Sequence, residues 1–440
     1  MIARGMTPGL LRRGPLDPAG IGDELVTAGV VAGAIALSSY ALATGRTTIA
    51  VGLALMPLAA ILVASPAVSL VLLGSSIPLL FGLPGLGLDY QIAVSDVFLV
   101  LVTASLLVAA TATGSIPALH ALRPVRLPLL LYCGAVLVLL GYHLAPSVAA
   151  QTAQRFELLL LPLLVGAYAA LSGRQVPVLQ AYVLSTTLFA LAWSTVVLGD
   201  LGGQKNPVGQ LFGNAIIVVI GIPALRRLMP CLLILVPALL VTGSRGAVIA
   251  TAIGIAVVAA MQGLRARRVA VRVLPVALIA AAAFFLMPAA TQERLTTLSA
   301  QGDTKAAWAI RYRELYTASA WRVIHEHPWT GVGVGNYLDA TADGPGRSDD
   351  PHHVLLLQAA EGGYGFATVF VILIAGVAIV LYRMRSLEVA PAATGVLLAT
   401  AAHGLVDVYW VRGTPVLGWL LVGMACGAFH ASRQPDRLRS

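Results

Sequence analysis

The strongest constraint on this chain is a succession of apolar runs, joined by short polar connections, that continues through almost its whole length. The runs fall near 25–43, 47–65, 67–82, 92–113, 126–146, 156–171, 176–199, 207–225, 228–243, 246–262, 273–290, 354–382, 388–406 and 414–430. A helix of about 20 apolar residues matches the roughly 30 Å hydrocarbon core of a bilayer. The alternating segments of about ten residues that build membrane barrels are absent from the sequence. Residues are 58% hydrophobic and 11% charged, where soluble domains carry roughly 25% charged residues. In lipid each spanning segment must satisfy its own backbone hydrogen bonds. The sequence therefore predicts an all-α polytopic membrane protein with about 12–14 transmembrane helices.

One stretch breaks the pattern. Residues 291–353 are polar and long, so the chain divides into a tail (1–24), a transmembrane bundle (25–290), a loop (291–353), C-terminal transmembrane helices (354–430) and a second tail (431–440). The net charge of +9 would suggest a nucleic-acid partner in a soluble protein. Here Lys and Arg set orientation instead. With the N-terminus inside, 17 of the 28 basic residues fall on inner segments, six on 291–353, and five on the short outer loops. That distribution predicts an extracytoplasmic 291–353 loop. The N-terminal "MIARGMTPGLLRRGPLDPAGIGDELV" has no compact apolar segment with a cleavage site and is expected to be an uncleaved cytoplasmic tail. Cys133, Cys231 and Cys426 lie in apolar runs without CxxC spacing, so neither a disulfide framework nor a zinc site is indicated.

Several outer cations are not needed for orientation. In "VTGSRGAVIA", with Ser244-Arg245-Gly246 between two apolar runs, glycine permits a tight reversal, Ser244 can cap the next helix, and Arg245 projects from the outer end. An arginine there either snorkels to headgroups or grips a phosphate bidentately. Arg155, and Lys205 in "GGQKNPVGQLFGN", occupy similar positions; a helix N-terminus with a lysine attracts anions. Within the loop, the sequence predicts an amphipathic helix from Lys305 to a stop at Pro328. Trp308, Tyr312, Leu315 and Ser319 form one face, with Arg311 beside it. The "GVGVGN" that follows is a turn-forming run; a dinucleotide site would need a preceding strand.

"DDPHHVLLLQAAEGGYG" (349–365) concentrates ionisable groups at the start of a run of about 28 residues, roughly 42 Å as a helix. Gly362, Gly363 and Gly365 predict a kink near its outer end. Glu361 is an ionisable group inside an apolar segment and thereby a functional candidate. Three readings stand for Asp349, Asp350, His352 and His353. They are a metal cluster, whose ligands sit too close in sequence to wrap an ion unaided, a helix cap, or a histidine base. In "AAHGLVDVYWVRGTP", His403, Asp407 and Arg412 surround the last outer turn, where an Asp407–Arg412 pair can hold the chain reversal.

Together these segments resemble the O-antigen ligase and polymerase superfamily. The likeness runs from about 242 to 420 through "TGSRGA", "HPWTGVGVGNY", "PHHVLLLQAAEGGYG" and "HGLVDVYW". "GQKNPVGQLFG" and "VSDVFLVL" are similar to its earlier landmarks. The resemblance implies transfer of a glycan from an undecaprenyl-diphosphate carrier to an acceptor hydroxyl at the outer face of a bacterial inner membrane, without metal or other cofactor. It implies His352 as catalytic base, with His353 standing where the family usually has asparagine. Arg245 and Arg311 would contact the diphosphate, with Lys205 and Arg155 as further cations and His353, Glu361, Asp407 and Arg412 in support. The partners implied are a polyprenyl-diphosphate glycan, a glycan or glycolipid acceptor, and membrane lipid. One dominant outer loop favours a ligase over a polymerase. A lipid or organic-anion transporter would need midplane charges and internal repeats, and the sequence carries no internal repeat.

Overall fold

The computed structural model describes residues 63–79, 93–113, 116–194, 205–263, 266–287, 289–296, 305–344, 347–348, 350–410 and 415–433. Their helices are α1 (Pro66–Ser76), α2 (Val94–Thr113), α3 (Pro117–Ala121), α4 (Arg126–Tyr142), α5 (Pro146–Leu171), α6 (Gln175–Ser194), α7 (Lys205–Gly221) and α8 (Leu232–Val241). They continue as α9 (Arg245–Met261), α10 (Ala266–Leu286), α11 (Ala289–Thr296), α12 (Lys305–Glu326), α13 (Tyr337–Ala340), α14 (Val354–Arg383), α15 (Ala390–His403) and α16 (Val416–Arg433). Among the described residues six helical segments are long and apolar enough to cross a membrane, with four shorter apolar helices beside them. The chain is an all-α, multi-pass membrane protein. The expected run at 25–43, and that at 47–65 as far as residue 62, lie outside the described residues.

The apolar runs and the helices coincide closely, and the departures have physical causes. The run expected from 156 starts ten residues earlier, at Pro146, because its first turns carry buried polar groups such as Thr152 and Arg155. The run at 228–243 begins as the 3₁₀ turn Pro223–Cys231; joined to α8 it reaches 19 residues. Proline at 223 and 230 withholds two backbone donors from a regular helix there.

Without a hydrophobic drive between helices in lipid, close packing rests on small residues. Along α5 and α16, Gly166 faces the Leu420 carbonyl, Gly423 faces the Leu163 carbonyl, and a Cβ on Gly427 would stand 2.5 Å from the Ala167 oxygen. Helix α7 is buried on every side from Pro207 to Gly221, the signature of a helix at the centre of a bundle. Of its neighbours, α9 starts and α15 ends at the same mouth of the bundle, where α14 begins.

Helix α14 is two helices. Gly362 (φ −140°, ψ 17°) and Gly363 (φ 73°, ψ 178°) leave helical geometry, so a short half over 354–361 precedes a membrane-length half over 364–383. The break strands the last carbonyls of the short half, which need donors. The glycine run supplies them: Val332 N–H donates to Ala360 O (3.0 Å), and Gly333 N–H donates to Glu361 O (2.9 Å). Tyr364 N–H returns a bond to Pro328 O (2.9 Å). "GVGVGN" is thus a plug for a broken helix, and a Cβ on Gly363 would meet Trp329 and Pro328 backbone atoms at 2.5–2.7 Å. Gly365, expected to share in the kink, lies in the continuing helix with open space beside it.

Helix α12 spans Lys305–Glu326, as the sequence predicts, but buries a different face. Ala320, Val323 and Ile324 are fully buried against Leu356, Leu357 and Ala360 of the short half of α14. Trp308 and Leu315 stay exposed, while Ser319 is buried. The apolar side of the 354–361 half decides which face is buried.

Candidate active site

Three turns meet where α9 and α14 start and α15 ends. Gly243 (φ 66°) reverses the chain, and Ser244 Oγ accepts the Ala247 N–H (3.3 Å), which caps α9 and leaves Arg245 as its first residue. Gly246 lets α9 lie against His403 and Val406; a Cβ there would stand 3.1 Å from His403 Cδ2 and 2.8 Å from Val406 Cγ2. The start of α14 is tied to the end of α15 by Val354 N–H donating to Gly404 O (2.6 Å).

The two histidines have different work. His353 is the N-cap of α14, its Nδ1 accepting the Leu356 N–H (3.4 Å). His352 holds φ 55°, in the left-handed region that a β-carbon disfavours. Such a conformation costs about 1–3 kcal/mol and persists where surrounding contacts determine it. Here Asp350 Oδ1 accepts the His352 N–H (2.6 Å), and the ring stacks on Tyr316 at 5.5 Å and 17°. The ring Nδ1 lies 3.0 Å from Asp407 Oδ1. A carboxylate only accepts, so Nδ1 carries a proton, and in the neutral ring Nε2 keeps its lone pair.

Asp407 is buried and collects charge from several sides. Its Oδ2 lies 3.8 Å from Arg313 Nη2 and 4.0 Å from His403 Nε2, and Oδ1 also accepts the Val408 N–H (2.8 Å). Burial pulls the His352 pKa down, but the Asp407 bond and charge, with Asp350, outweigh it and leave it raised. Burial likewise pushes Asp407 up, and its bond to His352, the His403 charge and the Val408 N–H hold it below the usual carboxylate range. His353 has no such partner, and burial lowers it.

Arg245 and Arg313 are near enough for their guanidinium charges to repel. Arg313 against Asp407, with Arg245 within reach of its charge, supplies fixed positive charge suited to an anion that gains charge as a bond breaks. The resemblance names Arg311 on this helix; Arg313, two positions on and about 200° around it, is the residue that reaches Asp407. Arg311 is half-buried on α12, and Lys205 opens α7 as an exposed first residue. Arg412 and Asp349 lie outside the described residues, so the expected Asp407–Arg412 pair does too.

Arg155 and Glu361 pair with each other in the interior, both less than a tenth exposed. The groups weighed as metal ligands are turned to other partners: Asp350 to a backbone N–H, His353 to a cap, His352 to Asp407.

Residues 230–370 match the O-antigen ligase family model. The match covers about a third of the chain. It contains the Arg245 turn, helix α12, the glycine plug, the His352 turn and the break in α14. It supports the O-antigen ligase superfamily, whose members are glycan-handling membrane enzymes. Asp407 and Arg155 lie beyond the matched stretch. No curated protein matches the chain.

Proposed function

We propose that this protein is an O-antigen ligase-like, inverting glycosyltransferase that needs no metal. It moves a glycan from an undecaprenyl-diphosphate-type carrier to an acceptor hydroxyl at the outer face of a bacterial inner membrane. The observation that carries the reading is the His352–Asp407 pair at 3.0 Å beside Arg313, itself within repulsion range of Arg245.

In this mechanism the acceptor oxygen attacks the anomeric carbon from the side opposite the diphosphate. His352 Nε2 takes the hydroxyl proton as the new C–O bond forms, and Asp407 stabilises the imidazolium through Nδ1–H. The bond to the diphosphate breaks, and the leaving phosphate oxygen carries its new charge towards Arg245 and Arg313. Lys205 and Arg311 add positive potential near the same mouth. Attack opposite the leaving group inverts the anomeric configuration.

The test is transfer from a purified prenyl-diphosphate glycan with a chelator present. Wild type is expected to turn over; His352→Ala, Arg245→Ala and Arg313→Ala are expected to lose about 10²-fold or more. Retained activity in all three variants overturns the mechanism, and loss of wild-type activity on chelation overturns its independence of metal. A glycan on a new acceptor identifies a ligase; a lengthened carrier-linked glycan identifies a polymerase.

A further inference from the structure

One buried ion pair among the described residues belongs to no step of that mechanism. Arg155 Nη2 donates to Glu361 Oε2 in the interior of the bundle. The other Glu361 oxygen accepts the Gly335 N–H at 2.8 Å. Arg155 Nη1 lies 3.2 Å from the Gln358 amide, and Trp410 Nε1 lies 3.3 Å from it, with the amide oxygen oriented towards both donors. The Tyr132 hydroxyl sits 3.3 Å from the same amide, and the guanidinium lies over the Trp410 ring at 5.6 Å. These groups are drawn from separate parts of the chain: α5, α4, the short half of α14, the glycine plug, and the turn that carries Asp407.

Burying two charges is costly unless they are paired and their remaining hydrogen-bond capacity is filled. Here that condition is met by groups that would otherwise be independent. The 354–361 half-helix has the His352 turn at its start and Glu361 at its end. Its start is fixed by Gly404, three residues before Asp407; its end is fixed by Arg155, which also touches Trp410, three residues after Asp407.

We propose that the Arg155–Glu361 pair is the positioning device of the site, locking the half-helix that bears His352 to the turn that bears Asp407. This rests on the functional reading above and changes the role of one residue within it. Arg155 becomes a positioning residue rather than a ligand of the diphosphate.

The two roles predict different outcomes for full-length protein in lipid nanodiscs. The variants are Glu361→Gln, Arg155→Met, their double, and the all-apolar Arg155→Met/Glu361→Met. Undecaprenyl diphosphate without a glycan is the binding probe. As positioning residues, each single substitution lowers kcat about 10²-fold, the loss expected from about 1 Å of misplacement. Carrier affinity stays within about twofold, and the double loses no more than the worse single. Amide exchange rises in both 331–336 and 404–410.

Carrier binding weakened about tenfold by Arg155→Met, with Glu361→Gln neutral or tighter, assigns Arg155 to the phosphate and overturns the proposal. So does a multiplicative loss in the double, or unchanged exchange at 404–410. If a single variant fails to fold, the all-apolar double is expected to fold, because it leaves no unpaired charge. Retained carrier affinity with lowered kcat in that protein supports positioning; weakened carrier affinity overturns it. Should wild type transfer no glycan, the functional reading fails by itself, and exchange with non-additive thermal unfolding still decides the positioning claim.

Discussion

At the scale of single residues the histidines separate cleanly. His352→Ala is expected to abolish about 10²–10⁴-fold of transfer. His353→Ala removes a cap, costing about 1 kcal/mol of stability, and is expected to keep transfer within severalfold; His353→Asn, a better capping residue, restores the melting temperature. In the proposed mechanism the base form of His352 is the neutral ring, and its pKa is raised above the ordinary 6.5. Activity should therefore rise with pH through an inflection above 6.5. In Asp407→Asn the raising charge is gone while burial remains, so the inflection moves to lower pH and the plateau falls. A pH–kcat profile of the two proteins tests both statements; an inflection that stays in place in Asp407→Asn would falsify the assignment of the coupling. Arg313→Ala should cost more turnover than Arg311→Ala, measured at the same donor concentration.

At the scale of elements the break in α14 is the sharpest test of local geometry. Gly363→Ala forces a β-carbon into φ 73° and against Trp329 and Pro328. It is expected to cost several times the about 1 kcal/mol typical of a helical glycine change, read as a lowered melting temperature. Gly365→Ala, in open helical space, is expected to be neutral or to stabilise by about 0.5–1 kcal/mol. Sequence pattern groups these glycines because composition carries no dihedral angle. It locates the helices well, since apolar length is a local property, and it places Ser244 as a cap for the same reason. It misses the buried face of α12, because the deciding surface is the 354–361 half-helix, remote in sequence. The bond between Arg155 and Glu361 spans 206 positions, so neither residue carries a nearby sign of the other. Asp407 is visible as a polar residue at a turn, but its partner His352 stands 55 positions away.

At the scale of the whole molecule, the distribution of Lys and Arg is the ground for the proposed sidedness. In a background lacking the three native cysteines, Glu326→Cys at the exposed end of α12 should react with a membrane-impermeant maleimide from outside intact cells. Arg385→Cys, exposed past the far end of α14, should react only after permeabilisation. Labelling of both from one side would sink the proposed topology. The glycine contacts between α5 and α16 extend the same logic: Gly166→Leu places a side chain where the Leu420 carbonyl stands, and is expected to prevent assembly of the bundle.

The discontinuity at Gly362–Gly363 has a mechanical consequence. A helix that crosses a bilayer tilts to match its thickness, and a residue mounted rigidly on it would swing with it. His352 is mounted on the other side of a joint, on a segment held to α5 and α15 instead. The spanning half can therefore lean as lipids thin or thicken while the imidazole keeps its aim. Turnover in vesicles of short and long acyl chains should stay level in the wild type.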